Sequence, residues 1–195
     1  MGLVGRSGIG KTALVRAAGA EICRVHGIPP EKFGYMERVL SVTGLEHISG
    51  YPNFPEDKPG VWEMVHEREL VEKSKLPYGI LFLDEINRNP DRSVLNALFN
   101  WVREAGANGL FLPEGWTVVV AMNPATTGYN VVEVEAENAF RRSICWMNME
   151  VNAVQWLVWA KSAPNQIHPQ VVKFIQNDAS LLLDKVSQDS QKIGA

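Results

Sequence analysis

Gly5-Arg6-Ser7-Gly8-Ile9-Gly10-Lys11-Thr12 is the stretch on which the reading of this chain turns. It matches G-x-x-x-x-G-K-[ST], a loop whose glycines let successive backbone N–H groups turn inward around an anion. A helix starting at its end adds unpaired N–H donors and a positive dipole end. In that arrangement Lys11 would reach the β- and γ-phosphates of a nucleotide and the Thr12 hydroxyl would ligate Mg²⁺. The competing reading is a glycine-rich turn with no ligand, so the flanking sequence has to decide.

The helical side of the context is good. From Ala13 to His26 the residues Leu14, Val15, Ala18, Ile22 and Val25 recur at helical spacing, and Gly27 stands where a left-handed cap would end a helix. On the strand side only Gly2-Leu3-Val4 precedes Gly5, about half the usual strand length of roughly 5–6 residues. This predicts either a short first strand or a chain that has lost its beginning. A second element is decisive. Ile80-Leu81-Phe82-Leu83 is a run of strand formers that delivers Asp84-Glu85, as a buried parallel strand must to present acids beside a phosphate loop. Asp84 would hold the metal through water and Glu85 would polarise an attacking water; the alternative is a solvated turn after a strand. Together the two motifs predict a nucleoside triphosphatase with an α/β fold.

Composition bounds the rest. The chain has 195 residues, 46% hydrophobic and 21% charged, enough for one substantial core and a small appendage. Its apolar runs fall short of the ~20 residues of a membrane span. No signal peptide precedes the loop, so the expected location is cytoplasmic. Cys23 and Cys145 lack CxxC spacing, which predicts two small core residues in a reducing compartment and no structural zinc. A net charge of −3 leaves nucleic-acid binding unsupported.

Along the chain, Met36 to Val42 reads as a second strand, with Val39, Leu40 and Val42 as its apolar members. Gly44 to Gly60 mixes prolines, glycines, aromatics and acids without periodicity, and fits either a substrate-facing loop or a long surface connection. Val61 to Lys75 reads as a helix burying Val61, Met64, Val65 and Leu70. A zinc-protease reading of His66-Glu67 fails, because the position where the second histidine is required holds Leu70. Asp91 to Glu104 is expected as an amphipathic helix with Gly106 past its end, followed by a hairpin or turn over Leu110 to Trp116. Thr117 to Met122 is too apolar for a sheet edge, so it should be a central strand that places Asn123 on the same sheet edge as Asp84; otherwise Asn123 is only a turn former before Pro124. Val134 to Arg142 should be a short helix ending in Arg141-Arg142, and Ser143 to Met149 a strand. From Val151 on, two apolar helical patterns broken by Pro164 and Pro169 predict a small helical subdomain.

In this order the phosphate loop, Asp-Glu strand, Asn-ended strand and following arginines resemble the AAA+ ATPases, and in detail the MoxR-like, dynein-related branch. The particular resemblances are Leu83-Asp84-Glu85-Ile86-Asn87-Arg88, Asn96-Ala97-Leu98, Leu112-Pro113-Glu114-Gly115, Met122-Asn123-Pro124-Ala125 and Gly128-Tyr129. The resemblance implies a P-loop parallel sheet flanked by helices over residues 1–150, and a partial helical lid over 151–195. It implies ATP and Mg²⁺ as cofactors. Gly5, Arg6, Ser7, Gly8, Ile9, Gly10, Lys11, Thr12 and Ala13 would bind the nucleotide, and Thr12 and Asp84 the metal. Glu85, Asn123 and Arg142 would be catalytic: Asn123 as the first sensor, Arg142, or its neighbour Arg141, as a finger reaching an adjacent subunit's site. A finger supplied in trans is worth on the order of 10³–10⁵ in rate. The resemblance further implies a homo-oligomeric, typically hexameric ring that remodels or activates protein clients, often bearing a von Willebrand factor A domain. Gly44 to Gly60 and Leu110 to Trp116 would face its pore.

One departure stands out. Such proteins use a second-sensor arginine from the lid, yet no arginine follows Arg142; only Lys161, Lys173, Lys185 and Lys192 remain. The expectation is a truncated chain or a relative with a weakened nucleotide response. The alternatives to a remodelling ATPase are a nucleotide-gated scaffold that hydrolyses little, and a DNA-acting helicase loader.

Overall fold

The structure is a computed structural model that describes residues 1–124, 142–162 and 167–182. The chain divides into two compact units, Met1–Met149 and Glu150–Ala195.

In the first unit, β1 (Gly2–Val4) leads into the glycine loop and α1 (Lys11–His26) leaves it. Gly27, at φ 61, ends α1 by donating its N–H to the Cys23 carbonyl, the left-handed cap that its position predicts. Next come β2 (Phe33–Val39), the one-turn helix α2 (Glu46–Ser49), the strands β3 (Tyr51–Asn53) and β4 (Glu63–Val65), and α3 (Arg68–Lys73). Then follow β5 (Tyr78–Asp84), α4 (Arg92–Glu104), the two-residue strands β6 (Gly106–Ala107) and β7 (Leu110–Phe111), β8 (Gly115–Met122) and β9 (Trp146–Asn148).

Five strands form one sheet in the order β2-β5-β8-β1-β9, every pairing parallel. Strands buried on both faces read as continuous apolar runs, and β5 and β8 obey this. Ile80 and Phe82 of β5, with Val119 and Ala121 of β8, join Leu3 and Val15 on the α1 face. Leu81, Leu83 and Val120 point the other way, into a cluster with Met36, Leu40, Val94, Leu98 and Trp101. The order has one consequence for chemistry: β8 lies between β1 and β5, so its carboxyl end falls between the phosphate loop and the acidic pair.

Several local expectations are corrected. The second strand begins at Phe33 and stops at Val39, because its register with β5 runs from Phe33↔Tyr78 to Val39↔Asp84; Leu40–Val42 is a 3₁₀ turn in which Leu40 is buried and Val42 exposed. Residues 44–60 are not all loop, since they contain α2 and β3. The helix expected over Val61 to Lys75 is confined to Arg68–Lys73. Its first part is β4, antiparallel to β3 through Tyr51↔Val65 and Asn53↔Glu63. Of the four apolar residues assigned to that helix only Leu70 is buried, Val61 and Val65 being exposed. On α1 the face against the sheet is Lys11, Val15 and Gly19, whereas Leu14, Ile22 and Val25 are exposed. The last strand is the edge segment Trp146–Asn148, Cys145 is exposed and Cys23 half-buried, so neither cysteine is a core residue.

In the second unit, α5 (Ala153–Lys161) is capped by the Asn152 side chain, which accepts from the Gln155 N–H, and α6 (Pro169–Asn177) by the ring of His168, which accepts from the Gln170 N–H. Pro169 sits in the first turn of α6, where its missing donor costs nothing. Ala160, Val172 and Ile175 are buried. Among the described residues no helix is long and apolar enough to cross a membrane.

Candidate functional site

The loop between β1 and α1 is shaped by its glycines. Gly8 has φ 77 and Gly10 has φ 100, the left-handed region that residues with a Cβ rarely enter. A Cβ at either position would meet nothing within 4 Å, so the requirement for glycine is one of backbone conformation rather than space. Gly5 anchors the loop to the sheet by donating its N–H to the Met122 carbonyl at 3.2 Å.

Lys11, first residue of α1, is only 7% exposed, and its ammonium has three acceptors: the carbonyls of Gly5 (2.8 Å) and Arg6 (3.1 Å), and Oδ1 of Asn123 (2.8 Å). Burial lowers its pKa, opposed by the charges of Asp84 and Glu85. The Thr12 hydroxyl donates to Oδ2 of Asp84 at 3.3 Å, and Oδ1 of Asp84 accepts the Glu85 N–H at 2.8 Å. Burial raises the Asp84 pKa, only partly offset by that N–H and by the charge of Lys11.

Glu85 is the unusual residue. Its φ of 55 is left-handed for a side chain with a Cβ, a conformation that costs of order 1–3 kcal/mol and persists only where the surroundings enforce it. Both its carboxylate oxygens are engaged: Oε2 accepts from the Ser41 hydroxyl at 2.5 Å and Oε1 from Arg88 at 2.7 Å. Burial pushes its pKa up, but the hydrogen bonds from Ser41 and Arg88 and the charges of Arg88 and Lys11 outweigh it and leave the carboxyl below its ordinary value.

Further bonds hold this turn from both sides. Asn87 bonds the backbone of Asn123, and Asn89 donates to the carbonyls of Leu40 and Thr43, which bracket Ser41. Ser41, Asn87, Arg88 and Asn89 were not singled out as site residues from the sequence. The signal for Asn87 and Arg88 is their place in the Leu83 to Arg88 stretch that carries the family resemblance; Ser41 and Asn89 have none.

Ser7, Gly8, Gly10, Lys11, Thr12 and Ala13 on one side, and Asp84, Glu85 and Asn123 on the other, line one cleft of about 270 Å³. Gly5 and Arg6 contribute carbonyls behind it, and Ile9 lies outside the lining. Arg142 is exposed and apart from this lining. Arg141, Ala125, Gly128, Tyr129 and most of the helix expected over Val134 to Arg142 lie outside the described residues.

The fold is the α/β P-loop fold. A parallel sheet flanked by helices, with a glycine loop after its first strand and acids at the end of another, meets that description. No protein-family model matches the sequence, and no curated protein is significantly similar to it. Among solved structures the chain is similar to a candidate ATPase from Cytophaga hutchinsonii ATCC 33406, with 17% identity over 84% of this chain and 46% of that one at a TM-score of 0.50. It is also similar to NtrX from Brucella abortus, with 17% identity over 94% of this chain and 37% of that one at a TM-score of 0.47. The chain thus spans less than half the length of either protein.

The donor set suits a magnesium nucleotide. Thr12 and Asp84 offer the hard oxygen ligands that Mg²⁺ takes, and the glycine cradle and a buried lysine adjoin them.

Proposed function

We propose that this chain is a Mg²⁺-dependent ATPase of the AAA+ class, MoxR-like in type, that works as a homo-oligomeric ring, hexameric in the simplest case, on a protein client. A client bearing a von Willebrand factor A domain is the first to test. The observation that carries the reading is the convergence of Lys11, Thr12, Asp84, Glu85 and Asn123 on one cleft, from three strand ends that the sheet order makes neighbours.

In this reading the loop from Gly5 to Ala13 binds the phosphates, and the Lys11 ammonium offsets their charge. Thr12 and Asp84 would hold Mg²⁺, which neutralises charge on the phosphate oxygens when bound. Glu85, its pKa held low, is ionised at neutral pH and able to accept a proton from the attacking water; Asn123 orients that water. Arg142, exposed and outside the cleft lining, is free to serve a neighbouring subunit's site rather than its own.

The test is ATP turnover with Mg²⁺ and with chelator, across protein concentration. Turnover per subunit should require Mg²⁺ and rise with concentration. Glu85→Gln should retain ATP binding while turnover falls by about 10²–10⁴, the usual contribution of a general base; an unchanged rate would remove Glu85 from this role. Lys11→Ala should lose ATP binding by calorimetry. Mixing Arg142→Ala with Lys11→Ala subunits should restore part of the activity, and no restoration would count against a shared site.

A second reading, a nucleotide-gated scaffold that hydrolyses little, draws support from the engagement of both Glu85 oxygens by Ser41 and Arg88, which weakens the base. Binding with negligible turnover at assembling concentrations would favour it.

A further inference from the structure

Within the ATPase reading, on which the assignment of a role to Asn123 rests, we propose that Asn87 is a positioning residue: its buried carboxamide stands in for a missing strand neighbour and holds Asn123 against Lys11.

The need for such a residue follows from the backbone. The ladder between β5 and β8 ends at Leu83↔Val120. Glu85, at φ 55, turns the chain away from the sheet, and Ile86 makes one more bond by donating its N–H to the Ala121 carbonyl at 3.1 Å. β8 meanwhile runs to Met122, so the buried Asn123 just beyond it has backbone N–H and C=O groups on the side that β5 has left. An unpaired buried backbone group costs about as much as a lost hydrogen bond. The Asn87 side chain supplies both partners. Its Nδ2 donates to the Asn123 carbonyl at 2.7 Å, and its Oδ1 accepts from the Asn123 N–H at 3.4 Å. A carboxamide has the donor and acceptor arrangement of a peptide unit, and its orientation is unambiguous because the N–H can only donate and the C=O only accept.

The effect reaches the cleft. With its backbone held from the β5 side, Asn123 directs Oδ1 to the Lys11 ammonium at 2.8 Å. Asn87 and Asn123 are 7% and 2% exposed, so water does not readily replace the bonds between them. Asn87 is absent from the cleft lining and acts only through Asn123.

The experiment is a double-mutant cycle in the full chain. Asn87→Ala should lower kcat about tenfold to a hundredfold, the range expected when a buried polar group loses its partner, with ATP affinity changed less than about threefold. In an Asn123→Ala background the same substitution should have no further effect on kcat. Multiplying effects, an unchanged kcat, or a parallel loss of ATP affinity would overturn the assignment. If Asn87→Ala shows no thermal unfolding transition, Asn87→Asp runs the same cycle, since it keeps the acceptor for the Asn123 N–H at nearly unchanged volume. An independent readout needs no turnover. The Asn123 side-chain amide resonances should lie away from free-amide positions in the wild type and move toward them in Asn87→Ala while those of Asn152 stay in place; unmoved Asn123 resonances would overturn the proposal. A wild type that turns over no ATP would sink the ATPase reading, and these resonances would still decide the role of Asn87.

Discussion

Two left-handed turns face the same cleft and arise in different ways. Gly10, at φ 100, opens α1 with a residue that has no Cβ to object, and no distant side chain is needed to hold it there. Glu85, at φ 55, makes a comparable turn with a Cβ and a charged side chain, and it is held by Ser41 from beyond β2 and Arg88 from its own turn, with Asn87 and Asn89 bracing the segment that follows. The first turn is a property of a short peptide; the second belongs to the assembled sheet. A turn held by distant partners can be released by moving them, whereas a glycine turn can only be broken by changing the glycine.

The sharpest way to break this comparison is Gly10→Ala. The added methyl meets no neighbour, so its effect should come from the backbone alone, about 1–2 kcal/mol for a left-handed residue with a Cβ. That cost is shared between a lower Tm and weaker ATP binding by calorimetry, with roughly thirtyfold the upper limit if all of it falls on binding; a Tm and an affinity both unaltered would show that glycine is dispensable there. Next in size is a contrast at the other turn. Glu85→Gly and Glu85→Ala lose the same contacts with Ser41 and Arg88, but only the glycine relieves the backbone, so it should be more stable to urea by about 1 kcal/mol. Equal stabilities would mean that the turn at Glu85 is unstrained.

The smallest effect concerns pH. Hydrogen bonds from Ser41 and Arg88 favour the Glu85 carboxylate and lower its pKa, so the bonds contribute stability above the ordinary carboxylate value, lost as pH falls through the lowered one. Ser41→Ala and Arg88→Ala should each move the acidic limb of the kcat–pH profile to higher pH and narrow the pH range of maximal stability on its acid side. A limb that stays in place or moves down would detach those residues from Glu85.

How far the sequence could be read differs along the chain for the same reason. Gly5 to Thr12, Ile80 to Leu83 and Thr117 to Met122 were legible because each carries its structure locally: glycines that permit a turn, or an apolar run that only a strand buried on both faces accommodates. Residues 44–75 were misread because Val61, Met64, Val65 and Leu70 fall near helical spacing although nothing covers Val61 or Val65. What settles that segment is the pairing of Tyr51 with Val65 across a gap in sequence. The phosphate loop and Asp84-Glu85 meet in space, with Thr12 touching Asp84; the bracing of Glu85 by Ser41 and Arg88 has no local signal because it exists only once the turn is formed.

By itself, then, the sequence determined the α/β class, the glycine loop and the strands that end in Asp84-Glu85 and Asn123, since glycine freedom and hydrophobic runs act over a few neighbouring residues. Only the tertiary structure decided that β8 lies between β1 and β5, that Lys11 meets Asn123 inside one cleft, and that Glu85 turns left-handed under the grip of Ser41 and Arg88. The Lys11 to Asn123 and Ser41 to Glu85 bonds join groups 112 and 44 residues apart, and β1 pairs with β8 across a still longer stretch of chain; no local pattern of side chains encodes which distant strand will come to lie alongside.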